Sequence, residues 1–273
     1  MSEDEVFSLV EKRWKGLQRL RSLIGDDKLQ LRTNGGYELF TAADHQEYQR
    51  SIETITYLNS QLKSIVGETV YRTADDKIDH FGFAGVDHLI FNQYEGQIDT
   101  GKMIHSFIEL AKSLGISIIN GVNVLNVSDN KNVIAETSIG PIVAERCLIA
   151  TNGFAKMTHP ELDVHPARAQ VIITDEIPDL KIKGVFHYEQ GYYYFRNVGK
   201  RILFGGGRNL DFEGEKTFEI GTSKQIQARL EEILSAVILP NQQYNISHRW
   251  AGVMGVSSSK TTISKSISEN VYC

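Results

Sequence analysis

The residues best suited to chemistry cluster where an apolar run stops. The stretch Glu145-Arg146-Cys147-Leu148-Ile149-Ala150-Thr151-Asn152-Gly153 begins as a buried strand and breaks at small, mostly polar residues. Small residues let a backbone approach a flat or phosphorylated ligand closely, and glycine tolerates positive φ. Open α/β sheets bind ligands beyond the carboxyl ends of their strands. The alternative is a strand followed by an ordinary turn. A second candidate is Tyr192-Tyr193-Tyr194. On one extended strand Tyr192 and Tyr194 share a face and Tyr193 takes the other, although a half-buried aromatic strand has the same pattern. Other chemistries find little support. His80 and His88 stand alone, and no His-Glu-x-x-His or similar metal spacing occurs. No Ser-His-Asp or Cys-His arrangement is present, so no catalytic residue and no metal ligand is assigned. Cys147 and Cys273 make neither a disulfide framework nor a Cys-x-x-Cys site, and Cys147 reads as a small core residue.

The chain that must position these residues has 273 of them, enough for one large domain or two ordinary ones. Its 41% hydrophobic and 23% charged fractions are those of a soluble globular protein. No apolar run approaches the roughly 18–20 residues that span a bilayer. The acidic start Met1-Ser2-Glu3-Asp4-Glu5 has no apolar core and is not a signal peptide, so a cytoplasmic location is expected. A net charge of −5 with no dense Lys/Arg block argues against nucleic acid as a partner.

Periodicity predicts a helix over residues 2–24, with Ser2 and Glu5 as a capping box and Gly25 as its end. A strand over 37–40 follows Gly35-Gly36, and a second capping box, Thr41 and Asp44, opens a long helix closed by Gly67. Residues 81–91 read as irregular to extended. Asp99 or Thr100 caps a further helix that ends at Gly115. Residues 116–119 then read as a strand buried on both faces. Strands are expected at 121–127, 132–137 and 141–150, the last running into the opening motif. Beyond Gly153 strands dominate, at 171–174, 185–188, 191–197 and 201–204. A helix capped by Thr222 and Gln225 and ended by Pro240 follows, then strands over 244–254 and 261–267.

These elements resemble, in order and in residues, the D-amino-acid-oxidase-type family of FAD-dependent oxidoreductases, which includes glycine oxidase, sarcosine oxidase and γ-glutamylputrescine oxidase. The pieces that carry the resemblance span nearly the whole chain. They are Gly96-Gln97-Ile98-Asp99-Thr100-Gly101-Lys102-Met103, Gly121-Val122-Asn123-Val124, Ala150-Thr151-Asn152-Gly153, Pro166-Ala167-Arg168-Ala169-Gln170, Gly191-Tyr192-Tyr193-Tyr194 with Gly205-Gly206-Gly207, and Trp250-Ala251-Gly252. The resemblance implies an α+β fold, an antiparallel-sheet substrate domain with flanking helices plus a partial FAD-binding domain. The substrate domain would comprise residues 1–97 and 154–255, and the FAD-binding part 98–153 and 256–273. It further implies FAD as cofactor, touched by Val124, Ala150, Thr151, Asn152 and Gly153. Tyr192, Tyr194, Arg249 and Met254 would border the substrate, a small amine or amino acid. Where the family's Trp-x-Gly-x-Arg motif places an arginine that forks onto a substrate carboxylate, this chain has Met254. Arg249, Arg196 and Arg208 are the alternatives for that task. The sequence most resembles the γ-glutamylputrescine-oxidase branch.

Two departures shape the expectation. The family's Gly-x-Gly-x-x-Gly, which holds the FAD diphosphate on backbone N–H groups, has no counterpart here. The Gly-rich segment that follows the equivalent of Cys273 in the family is also missing. The chain therefore reads as an interior fragment of a longer flavoenzyme. Its cut surface is expected to promote self-association, and the chain by itself is expected to be inactive. The competing reading is a non-catalytic globular fragment that does not hold FAD.

Overall fold

Ser2 caps the first helix as its spacing predicts, its hydroxyl accepting from the Glu5 N–H while the Glu5 carboxylate accepts from the Ser2 N–H. The computed structural model describes residues 2–259 and 261–273. Its helices are α1 (Glu3–Ile24), α2 (Asp26–Leu29), α3 (His45–Val66), α4 (Ile78–Phe81), α5 (Thr100–Ser113), α6 (Ala155–Thr158) and α7 (Lys224–Ile233). Its strands are β1 (Gly36–Phe40), β2 (Tyr71–Thr73), β3 (His88–Asn92), β4 (Val124–Asp129), β5 (Val133–Thr137), β6 (Gly140–Ala144), β7 (Cys147–Leu148), β8 (His165–Thr174), β9 (Val185–Tyr188), β10 (Tyr193–Val198), β11 (Arg201–Gly206), β12 (Ile246–Val256) and β13 (Val271–Tyr272). The Thr41–Asp44 box forms, and Gly67 ends α3 in the left-handed conformation. Asp99 caps α5 through the Lys102 N–H. The mixed helix and sheet content with mainly antiparallel ladders is the α+β class that the sequence implies.

The chain divides into two compact units. Unit 1 is Met1–Glu109, Ala169–Asp211 and Gly221–Ala251, and unit 2 is Leu110–Arg168, Phe212–Ile220 and Gly252–Cys273. Unit 1 is built on a sheet of order β12-β8-β11-β10-β9-β1-β3-β2, in which β1 runs parallel to β9 and antiparallel to β3. One face is apolar because alternate residues of each strand are aromatic or aliphatic. Tyr37, Phe186, Phe195 and Phe204 pack there against Ile226, Leu230 and Ile233 of α7. Phe186 stacks on Phe195 at 4.6 Å and on Tyr37 at 5.1 Å, a geometry that adds to the area these rings bury. On the opposite face Phe40, Tyr48 and Ile90 pack together with Ile52 and Ile55 of α3.

Unit 2 contains the meander β4-β5-β6 and a separate two-stranded parallel pair, β7 with β13. Its core is small: Val133, Ile149, Ala155, Leu162, Val164 and Val271. Asp129 fastens the β13 end, accepting from Ser268 Oγ at 2.6 Å and from the Asn270 N–H at 2.7 Å. Those donors hold its carboxyl below the usual range.

Several sequence expectations need correction. Residues 116–119 form no strand, and Ile116 and Ile119 are exposed, because no partner strand among the described residues takes up their backbone. The run 141–150 splits into β6 and β7 with a bend at Glu145, since β6 pairs with β5 and β7 with β13. Only an isolated bridge, Ser266 to Tyr272, stands where a strand over 261–267 is expected. The cap of α7 is Ser223 rather than Thr222, its hydroxyl accepting from the Ile226 N–H. Residues 81–91 hold the end of α4 and the regular strand β3, in which His88 stacks on Tyr48 at 3.8 Å and bonds Asp75 at 2.8 Å. His88 is thereby occupied structurally.

Candidate functional site

In unit 2 the opening motif does lie at a strand end. Strand β7 stops at Leu148, Ile149 is buried, and Asn152 begins a short 3-10 turn with φ +53°. The Asn152 side chain accepts from the Gly255 N–H at 2.7 Å, clamping this turn to the end of β12. Glycine is needed on both sides of the clamp. A Cβ on Gly153 would lie 2.6 Å from the Met254 carbonyl oxygen, and one on Gly255 would lie 2.6 Å from Asn152 Oδ1. The close approach places Ala150, Asn152, Gly255 and Ser257 around one cavity of about 610 Å³, completed by Thr261–Ile263 and by Cys273 at the end of β13. It therefore sits at the carboxyl ends of a parallel strand pair, where α/β sheets take ligands.

The lining decides what the cavity suits. Leu148, Val164 and Ile263 give an apolar wall, and Asn152, Ser257, Thr261 and Thr262 offer neutral polar groups. A flat ring or a polyol chain matches this mixture. A diphosphate does not. Among the described residues no charged side chain lines the cavity. The helix beginning at Ala155 has only four residues, too few for an anion-binding terminus. Cys147, just below, has its thiol pushed up by burial and is not a reactive thiolate.

The other sequence-predicted residues divide. Val124 opens β4, is half exposed and does not line the cavity, and Thr151 is exposed beside it. In unit 1, β10 starts at Tyr193, so Tyr192 lies in the preceding turn, 44% exposed, and does not share a strand face with Tyr194. Tyr193 is fully buried in the core, whereas Tyr194 is half-buried on the opposite face, where burial raises its pKa. Arg249 is engaged by Glu231 at 2.8 Å and by Gln227 at 3.1 Å. Met254 enters the unit 2 clamp through its backbone. Arg196 donates to the neutral Gln97 at 3.0 Å, and burial lowers its pKa.

Sequence reasoning missed two features. One is the far wall of the cavity, residues 255–257, just past the strand expected over 244–254, and 261–263, which fall in the strand expected over 261–267. The other is a polar row across the unit 1 sheet, in which Glu38 neighbours His187 and His187 neighbours Tyr194. A signal existed: Glu38 is the one charged residue in Gly36-Tyr37-Glu38-Leu39-Phe40, and His187 interrupts Val185-Phe186-His187-Tyr188.

The sequence profile of a family described as FAD dependent oxidoreductase (DAO) matches residues 2–273. This chain belongs to that family. Among curated proteins it is similar to the probable oxidoreductase OrdL of Rhizobium meliloti, 24% identical over 199 residues, which cover 70% of this chain and 43% of OrdL. The chain spans about half the length of the curated relatives it matches, 43% and 52%. Among solved structures, L-proline dehydrogenase from P. horikoshii superposes with a TM-score of 0.74 at 17% identity, over 96% of this chain and 71% of that one. Glycine oxidase from Bacillus cereus gives 0.75 at 16% identity, over 98% and 73%. The fold is thus the DAO type, in keeping with the resemblance read from the sequence.

Proposed function

We propose that this protein is part of a flavin-dependent oxidoreductase that removes hydride from the C–N bond of a small amine or amino acid. The observation that carries this reading is the 610 Å³ cavity at the carboxyl ends of β7 and β13, in a chain matched end to end by the FAD-oxidoreductase profile. The structural relatives are named for glycine and L-proline, which supports an amine-bearing substrate. When bound, FAD supplies the hydride acceptor, and the protein's share is binding, orientation and exclusion of water. Ala150, Thr151, Asn152, Gly153 and Val124 are the residues we assign to the cofactor. Tyr194, Tyr192, Arg249 and Met254 are assigned to the substrate side. The functional division we propose is 1–97 with 154–255 for substrate and 98–153 with 256–273 for cofactor, in a cytoplasmic protein.

A second reading has one observation in its favour. Among the described residues no charged side chain lines the cavity to meet a diphosphate, so on this reading the chain alone would hold FAD weakly or not at all and act as a non-catalytic globular unit. The two readings separate in one experiment. FAD-loaded protein is mixed without oxygen with primary amines, N-alkyl amino acids, α-amino acids and, as controls, α-hydroxy acids. Bleaching of the oxidised flavin by an amine-bearing compound is the expected result. Bleaching by hydroxy acids alone would refute the substrate class, and a protein that never takes up FAD would favour the second reading.

A further inference from the structure

Of the polar row across the unit 1 sheet the function proposed above uses only Tyr194, although Glu38, His187 and Glu95 beside it hold what amine chemistry requires. Glu38 on β1 sits beside His187 on β9, and His187 sits beside Tyr194 on β10. Gly205 on β11 comes next, and a Cβ there would collide with Val171 Cγ1 and lie 2.9 Å from the Tyr194 hydroxyl, so the phenol and the Val171 side chain close over the glycine. The loop before α5 folds Glu95 back over Gly36, where any Cβ would collide with its carboxylate. From there Glu95 Oε2 meets His187 Nε2 at 3.3 Å. Glu38, His187, Glu95 and Tyr194 are all half-buried, neither sealed in the core nor fully solvated.

The orientation of His187 matters. With Nε2 turned to a carboxylate, the neutral ring carries its proton there and leaves the Nδ1 lone pair free. A carboxylate that fixes the tautomer and an imidazole with an open nitrogen form the usual arrangement of a general base and its orienting partner. Glu38 adds a second carboxylate. Burial pushes it up to about 6, with Glu95 and Asp44 adding to the rise and His187 opposing it. The Glu95 hydrogen bond raises His187, against its burial, and the charges of Glu95 and Glu38 add to the rise. The other groups that face the cluster are Tyr71 from β2, which feels both glutamates, and Tyr194 and Arg196 from β10.

We infer that His187 is the base that takes the proton from a protonated amine bound on this sheet face, with Glu38 as counter-charge to the ammonium group and Glu95 as the residue that positions the imidazole. This rests on the amine-oxidising reading above and extends it to binding and proton handling. The step is a proton transfer only. The ammonium N–H bond breaks, the nitrogen keeps the electron pair, and a new N–H bond forms on His187 Nδ1. Nothing is oxidised or reduced, and the amine is left neutral.

The test needs no flavin, so its failure is distinct from failure of the oxidoreductase reading. Long-range proton–nitrogen NMR on the full, nitrogen-15-labelled chain follows the imidazoles through a pH titration, with and without n-butylamine hydrochloride, and with sodium butanoate as control. In the free protein His187 is expected to titrate above the ordinary histidine range, with the proton on Nε2 in its neutral form. Butylammonium should lower that midpoint, because a bound cation competes for the same carboxylates, whereas butanoate should not. Glu38→Gln should weaken the butylammonium effect by about tenfold in concentration. Glu95→Gln should lower the His187 midpoint and mix its tautomers. If butylammonium leaves His187 unmoved in the wild-type chain, or shifts exposed His80 equally, the inference is overturned. That comparison requires no variant to fold.

Discussion

The two units bury apolar surface very differently. Unit 1 encloses an aromatic and aliphatic core on one face of an eight-stranded sheet, with Phe186, Tyr193, Phe195 and Phe204 at 0–1% exposure. Unit 2 has a core of six buried residues, while Leu114, Leu125, Ile139, Val143 and Leu148 are at least 60% exposed. Its β7–β13 pair is parallel, a kind of sheet that is ordinarily covered on both faces and wider than two strands. The contrast teaches where stability and where function reside. Unit 1 has the packing to stand on its own, whereas unit 2 holds a ligand cavity on a scaffold with little packing to spare.

The largest expected effect tests the strong side of this contrast. Phe186→Ala should cost about 3–5 kcal/mol, since a ring in van der Waals contact with Tyr37, Phe81, Phe83 and Phe195 leaves a cavity that rigid neighbours cannot fill. Chemical denaturation followed by near-UV circular dichroism would read it. A loss below about 1 kcal/mol would show that unit 1 is not the packed body described. Next in size is the clamp of unit 2. Gly153→Ala places a methyl group 2.6 Å from a backbone oxygen and should cost about 1–3 kcal/mol. Hydrogen exchange should show the loosening around Asn152 and Gly255 while β9 to β11 keep their protection. Equal loosening in β9 to β11 would break the comparison.

Acid should act on unit 2 through Asp129. Its folded pKa lies below the unfolded value, so its contribution is present above the unfolded carboxylate range and is lost as pH falls through the folded value. Exchange protection at Val271 and Tyr272 should therefore fall on acidification, and Asp129→Asn should remove most of that pH dependence. Glu38 runs the other way. Its raised pKa favours the folded state at low pH, and that contribution fades as pH rises through about 6. The smallest effect on stability belongs to Leu148→Lys. The side chain is 69% exposed, so stability should change by no more than about 0.5 kcal/mol. Light scattering should show less self-association, because an apolar patch has been interrupted. Unchanged association would remove that patch as its cause.

These differences also explain what could be read in advance. Helix starts were legible because caps are local: the Ser2/Glu5 and Thr41/Asp44 boxes and the glycine after α3 state their role within four residues. Strands β1 and β8 to β12 were legible because they alternate against a real core, whereas the three-residue β2 is too short to show a period and β3 shows only as extended chain. In unit 2 the apolar residues 116–119 carry the composition of a strand without a partner to pair with, and pairing cannot be read from a single segment. The strand end at Ala150 was visible, but the opposite wall comes from residues 255–257 and 261–263, about a hundred positions later, joined to it by the Asn152–Gly255 hydrogen bond. Tyr192 falls outside the strand because β10 begins two residues later than the expected start at Gly191. The Glu38–His187 row is invisible until β1 and β9, some 150 residues apart, are known to be parallel neighbours.

The central claim is that the cavity of unit 2, whose lining among the described residues carries no charged side chain, suits the neutral, flat portion of a flavin better than its diphosphate. Equilibrium titration of the purified chain with riboflavin, FAD and ADP, followed by flavin fluorescence and by competition, tests it directly. The account predicts a colourless preparation, weak binding of riboflavin and FAD within about tenfold of each other, and no measurable competition by ADP. A yellow preparation with nearly one FAD per chain, or FAD bound orders of magnitude more tightly than riboflavin, would contradict it.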